Sequence, residues 1–283
     1  TFLHGGHVHA NGIRHHYLRY GGASGGNEAR DPVIIVPGIT SPAAVWGFVG
    51  ERFGERFDTY IVDVRGRGLS EASASLDYGL DAQAADLLAL ARGLALQRYS
   101  VVGHSMGARI AIRAARAQAG GIARLALIDP PVSGPGRRAY PAQLSAFVES
   151  IRLARTGVDS QALRRFFPTW TDEQLGVRAE WLHTCDERAV VASFEGFHTD
   201  DVHADLPHVK PPTLLMIAGR GDVIRGEDAD EIRTLLPPIH IVHVPNAGHM
   251  IPWDDAEGFY RAFGNFLGAP LRLNSSQEKF PCP

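Results

Sequence analysis

Cysteine is almost missing from this chain of 283 residues: only Cys185 and Cys282 occur, too few for a disulfide framework. Neither sign of charge prevails. Against 28 Lys+Arg stand 31 Asp+Glu, a balance of −3 that leaves no basic footprint for nucleic acid and no acidic disordered tail. No stretch of about 20 apolar residues could cross a bilayer as a helix. The opening T-F-L-H-G-G-H-V-H lacks the basic-then-apolar layout of a secretory leader. Internal repeats, low-complexity tracts and coiled-coil heptads are missing too. These absences lead to the expectation of a protein of the reducing cytoplasm that acts on a small molecule, with no nucleic acid and no membrane among its partners.

What is present is 45% apolar residues in a chain long enough to bury about three quarters of its unfolded surface in one or two domains. Asn11-Gly12 suits the positive φ values of a tight turn, so Val8 to Tyr20 reads as two antiparallel strands, with Gly21 to Arg30 as the loop that follows. Short apolar runs come next: Val33–Val36, Tyr60–Val64, Ser100–Gly103, Leu125–Ile128, Thr213–Ala218 and Ile239–Val244. None alternates with polar residues, as expected for strands covered on both faces. Helical stretches separate them, so the fold class is α/β, a mainly parallel sheet of eight strands flanked by helices.

Asp81 to Gln97 reads as a helix behind an acidic N-cap, with Ala85, Leu88 and Leu96 on its apolar face, and Met106 to Gln118 as an Ala-rich helix. From Ser133 to His208 no buried strand is legible, while Pro141–Thr156, Ser160–Phe167, Thr171–Asp186 and Arg188–Phe197 each read as a helix. The expectation is a helical cap over residues 133–208, inserted in a core of residues 1–132 and 209–268. Gly268 to Pro283 carry no apolar period and are expected to form an unstructured tail.

Between a buried strand and the Ala-rich helix lies Gly103-His104-Ser105-Met106-Gly107, a G-x-S-x-G pentapeptide. Alone it is unspecific. At a sharp strand-to-helix turn, however, it places a serine at a helix N-terminus, where N–H groups and the dipole favour negative charge. A serine hydroxyl needs a base, and the base needs a group to fix its tautomer. His249 follows the last expected strand, on the same sheet edge as Ser105, and is the candidate base. His104, beside the serine in sequence, is expected to pack or hydrogen-bond locally. Asp129 and Asp222 both follow core strands and both satisfy the order Ser, Asp, His, so spacing leaves the acid open. The N–H groups of Met106 and Ile39 are the candidate oxyanion donors. His4, His7, His9, His15 and His16 scatter over a hairpin expected to be solvated, with no Cys or carboxylate at ligand spacing, so neither a metal nor a cofactor is expected.

These residues resemble the α/β-hydrolase superfamily over nearly the whole chain. Besides the pentapeptide, Asp63-Val64-Arg65-Gly66-Arg67-Gly68-Leu69-Ser70 is similar to that family's D-x-R-G-x-G-x-S segment, and Asn246 to Leu267 to its histidine loop and terminal helix. One departure is Pro37, which stands where the family usually has a histidine before the oxyanion glycine. A serine rather than an aspartate at position 105 speaks against dehalogenation.

Within the superfamily the chain looks like the bacterial hydrolases that open N-acylated products of nicotinate and vitamin B6 ring degradation. That resemblance implies cleavage of the C–N bond of a small anionic N-formyl amide and favours Asp129 as the acid. Enol-lactonase, carboxylesterase and C–C hydrolase chemistry on the same residues are the alternatives, as is a catalytically silent binding module. A carboxylate on the substrate would need a cationic or hydroxyl partner, for which Arg138, Tyr140, Arg152, Arg155 and Trp170 are candidates in the cap; Arg109 reads as a brace of the elbow helix.

Overall fold

The hairpin at the start is longer than its sequence suggests. In the computed structural model, which describes residues 1–21, 30–117, 121–157 and 159–271, β1 (Phe2–Ala10) pairs antiparallel with β2 (Ile13–Tyr20). Asn11 and Gly12 make the turn at φ 49° and 77°, as the dipeptide implies. The first half of β1 is exposed, and so lacks the apolar alternation that would have revealed it. Most of the expected loop at Gly21 to Arg30 lies outside the described residues.

Next come β3 (Val33–Val36), α1 (Gly47–Gly54), β4 (Thr59–Val62), α2 (Leu80–Gly93), β5 (Tyr99–His104), α3 (Met106–Arg116) and β6 (Ile122–Ile128). After an insertion come β7 (Thr213–Ala218), a helix, β8 (His240–Val244) and two short helices, the last elements among the described residues. The sheet order is β1-β2-β4-β3-β5-β6-β7-β8, antiparallel at β1/β2 and β2/β4 and parallel from there on. Strands β3, β4, β5 and β7 are buried at every residue, which is why their runs read as continuously apolar.

Two sequence expectations need correction here. Helix α2 ends at Gly93 rather than Gln97, and it buries Ala84, Leu87 and Ala91 while Ala85 is exposed. The buried face is turned by a carboxylate. Asp86 points inward and receives two bonds from Arg65, at 2.5 and 2.6 Å, and one from Asn11 Nδ2 at 2.8 Å. Nor is the hairpin uniformly solvated: His15 and His16 are buried, with His16 Nδ1 2.7 Å from Asp63 Oδ2 and His15 Nε2 3.1 Å from the Ala10 carbonyl oxygen. Asp63 also accepts from the N–H groups of Ala43 and Leu69, so the D-x-R-G-x-G-x-S segment is a buried polar joint between hairpin, sheet and α2.

The insertion between β6 and β7 contains α4 (Leu144–Arg155), a short 3-10 turn at Ser160–Leu163, α5 (Asp172–Trp181) and α6 (Glu187–Thr199). No strand occurs there among the described residues. Ser160–Phe167 is therefore a shorter element than expected, and Thr171–Asp186 divides into α5 and a 3-10 turn at Leu182–Thr184. The elements after β7 are α7 (Gly226–Leu235), α8 (Ile251–Asp254) and α9 (Ala256–Phe263). At the C-terminal end, Ala269 and Leu271 are buried against the core instead of belonging to a loose tail, because their side chains cover apolar surface. Residues 272–283, the rest of the expected tail and the second cysteine with it, lie outside the described residues, as does Gln118.

Candidate active site

Strand β5 ends at His104 and α3 begins at Met106, so Ser105 alone makes the bend, at φ 53° and ψ −116°. A non-glycine residue holds such values only under strain, which the surroundings must impose. They do so through two glycines. A Cβ on Gly103 would lie 2.4 Å from the Gly107 carbonyl oxygen, and one on Gly107 would lie 1.9 Å from that of Val36. The Ser105 N–H donates to Ile128 O at 2.8 Å, pinning the bend to the neighbouring strand.

His249 lies in the loop after β8. Its Nε2 is 3.0 Å from Ser105 Oγ and its Nδ1 is 2.7 Å from Asp129 Oδ2. A carboxylate can only accept, so Nδ1 carries the proton and the Nε2 lone pair faces the serine hydroxyl. Asp129 sits at the end of β6 with φ 47°, fully enclosed. Its N–H donates to Met216 O at 2.9 Å, and its Oδ1 accepts from Ala218 N–H at 3.2 Å. Asp222 is elsewhere. It is exposed and forms both bonds of a surface pair with Arg225, at 2.7 and 3.0 Å.

His104 packs between Trp46 and His249, with tilted rings at 5.4 and 5.0 Å between centres, and its Nε2–H donates to the His249 carbonyl at 3.0 Å. Burial and the neighbouring imidazole push its pKa down to about 3, so the ring is a neutral support for the histidine loop. Gly248 N–H donates to Asp254 Oδ2 at 2.9 Å and holds the same loop from the other side.

The loop after β3 carries Ile39. Met106 N–H is the first orphan donor of α3, and among the described residues Ile39 N–H has no protein acceptor. Three successive carbonyls fix that loop. Gly38 O accepts from Ser41 N–H at 3.2 Å, Ile39 O from Arg67 Nε at 3.0 Å and Thr40 O from Arg178 Nη1 at 2.6 Å. In a trans peptide the N–H is opposed to the preceding carbonyl, so holding Gly38 O also sets the direction of Ile39 N–H.

A cavity of about 220 Å³ opens at Ser105. The core contributes Gly38, Ile39, Thr40, Ser41, His104, His249 and Met250, while the insertion contributes Tyr140, Ala142, Phe147, Phe166, Phe167 and Arg178. Pockets that take drug-sized ligands measure roughly 300–1,000 Å³. The space here therefore suits a smaller molecule.

Of the residues in the insertion singled out from sequence, only Tyr140 reaches the reacting groups, its hydroxyl lying 3.2 Å from His249 Nε2. Burial pushes that phenol well above its ordinary pKa, so it remains a donor. Trp170 stacks on Trp253 at 5.0 Å, behind the cavity lining. Arg138 is bound by Asp228 and the carbonyls of Asp222 and Val223, while Arg152 and Arg155 pair with Glu187. Arg109 holds the carbonyls of Pro131, Ser133, Gly196 and Asp200, bracing α3 against the insertion. Sequence reasoning missed Arg178. It lies in a helix whose apolar residues are not gathered on one face, and no motif marks its burial.

Comparison with known proteins bears on the fold and the family. Residues 33–262 match the model of the alpha/beta hydrolase family. The chain is 59% identical, over 96% of its length and 99% of the relative's, to an N-formylmaleamate deformylase of Pseudomonas putida KT2440. It is 27% identical to a 2-(acetamidomethylene)succinate hydrolase of Mesorhizobium japonicum, over 84% of this chain and 88% of the relative. Among solved structures it superposes on a serine-to-alanine variant of an N-formylmaleamic acid deformylase from Pseudomonas putida S16 with a TM-score of 0.87 and 52% identity, covering 92% of this chain and all of that one. With the strained serine, the eight-stranded sheet and these matches together, the chain belongs to the alpha/beta hydrolase family.

Proposed function

We propose that this hydrolase cleaves the formyl C–N bond of N-formylmaleamate, yielding formate and maleamate, with Ser105 as nucleophile, His249 as base and Asp129 as the acid that orients it. The observation that carries the reading is the relay of 2.7 and 3.0 Å from Asp129 through His249 to a serine strained at the head of α3. Full-length similarity to N-formylmaleamate deformylases supports the substrate.

His249 Nε2 takes the Ser105 proton as Oγ adds to the formyl carbon, and the carbonyl oxygen becomes an oxyanion held by Ile39 and Met106 N–H. Asp129 stabilises the imidazolium without taking its proton. His249 then protonates the nitrogen as the C–N bond breaks, and maleamate leaves. Water attacks the formyl ester, giving its proton to His249; the second tetrahedral species collapses, Ser105 regains its proton and formate departs. The leaving nitrogen is that of an amide rather than of an amine, so its expulsion is easier than in peptide hydrolysis.

In this reading residues 133–208 form a cap on a core of residues 1–132 and 209–268, and the enzyme works in the cytoplasm on a small anion. The test is formate release from N-formylmaleamate by the wild type and by Ser105→Ala, together with labelling by a fluorophosphonate. Turnover should fall by about 10⁴-fold or more and labelling should vanish. Full turnover in Ser105→Ala would end the proposal.

A further inference from the structure

Three arginines, Arg67, Arg109 and Arg178, are buried with 2% exposure or less, and none forms an ion pair with a carboxylate among the described residues. Arg67 is satisfied on several sides by three carbonyls and the Ser193 hydroxyl, and Arg109 by four carbonyls. Arg178 is not. Among the described residues its bonds go only to Thr40 O and Thr40 Oγ1, both at 2.6 Å, and to Ser41 Oγ at 3.5 Å, and its Nε–H has no partner there.

Burial lowers the Arg178 pKa to about 10, which still leaves the guanidinium charged near neutrality. The Cys185 thiol, the titratable group that acts on it, is itself pushed up to about 11 and stays neutral. The rings of Phe167 and Trp170, 4.6 and 5.8 Å away, offer their π-faces but no counter-charge. A buried, uncompensated cation is costly, and a bound anion would remove much of that cost. Arg178 is also the one of the three that lines the cavity with Ser105.

We infer that Arg178 seats the carboxylate of the substrate in the cavity it shares with Ser105, with Thr40 as the accompanying hydroxyl donor. The ligand class is a short carboxylate-bearing amide, which deepens the function proposed above and rests on it for the identity of the scissile bond. Thr40 Oγ accepts from the guanidinium and keeps its own proton to give to the same carboxylate. Since Thr40 follows Ile39, the seat and the oxyanion loop share one support.

The probe is maleate, with the uncharged diamide maleamide as the neutral control, titrated calorimetrically into wild type, Arg178→Gln and Arg178→Lys. Loss of one charge-assisted pair should weaken maleate binding by at least about tenfold in Arg178→Gln, with maleamide affected much less. Arg178→Lys keeps the charge and loses the fork, and should fall between. With N-formylmaleamate as substrate, KM should rise by a larger factor than kcat falls. Equal maleate affinity in wild type and either variant overturns the inference, as does an equal loss of maleate and maleamide. Should Arg178→Gln not fold, the lysine variant decides alone. A wild type that binds maleate through Arg178 yet releases no formate leaves the anion seat standing and removes the deformylase reading.

Discussion

Replacing Asp129 with Asn is the perturbation whose outcome the geometry constrains most closely. Asp129 accepts on both oxygens, from His249 Nδ1–H at 2.7 Å and from Ala218 N–H at 3.2 Å. An asparagine has one acceptor and one donor end. If its oxygen faces His249, its NH₂ meets the Ala218 N–H in an enclosed site. If its NH₂ faces His249, the imidazole must accept at Nδ1 and carry its proton on Nε2, where it can no longer take one from Ser105. Both arrangements disable or destabilise the relay. The expected loss in kcat is about 10⁴-fold, equivalent to about 5.5 kcal/mol of transition-state stabilisation. The assay is formate release by Asp129→Asn and Asp222→Asn side by side, with thermal melts to confirm folding. Asp222 shares a surface pair with Arg225, so its substitution should leave kcat within about twofold and stability within about 0.5 kcal/mol. Near-normal turnover in a folded Asp129→Asn, or a hundredfold loss in Asp222→Asn, would refute the assignment.

Other outcomes follow from the same contacts. Gly107→Ala would drive a Cβ to 1.9 Å from Val36 O, so β3 and α3 must separate; a loss of about 3 kcal/mol or failure to fold is expected by denaturant titration, whereas Gly176→Ala, with open space around it in α5, should be neutral or stabilising by up to about 1 kcal/mol. His104 is neutral when folded and titrates at 6.5 when unfolded, so the unfolded chain binds the proton first as pH falls. Stability is therefore complete above that value and should drop by about 2 kcal/mol on going from about pH 7 to about pH 5, a slope that His104→Gln removes in urea melts at the two pH values. Tyr140→Phe keeps the ring against Phe194 and Phe197 but removes the second donor competing for His249 Nε2. Fluorophosphonate labelling of Ser105 should then be at least as fast as in the wild type, and slower labelling would show that the phenol assists the relay.

The strands and the serine were legible because their causes are local. A run with both faces buried is apolar without interruption, and a serine held at positive φ needs glycine two residues away on either side; Gly103 and Gly107 are visible in the sequence as such. The choice between Asp129 and Asp222 was not local. Both follow parallel strands and differ only in what lies opposite, and the decisive contact spans 120 residues of chain. Arg178 was illegible for a related reason. Its helix is announced by the capping box of Thr171 and Gln174, but nothing in that helix tells that its one arginine points inward, since the acceptors that draw it there are Thr40 and Ser41, far away in sequence. The face of α2 was misjudged because Asp86, a residue that by type belongs outside, is held inside by Arg65.

The buried guanidiniums also explain how a loop can serve as one half of an oxyanion site. An N–H group stabilises a developing charge only if it is already aimed, since reorienting it during the reaction would consume the gain. The loop after β3 has no secondary structure to aim it. Instead Arg67, from the segment after β4, and Arg178, from the insertion, grip its successive carbonyls at 3.0 and 2.6 Å. A carboxylate in the place of either arginine's partner would neutralise the cation and pull it off the loop. Carbonyl oxygens satisfy the N–H groups and leave the positive charge in force. Two cations behind one loop thus raise the local potential where an anionic substrate must bind and where its carbonyl oxygen must gain charge. The insertion cannot then be a passive cover: by supplying Arg178 it takes part in building the loop on which both binding and chemistry depend.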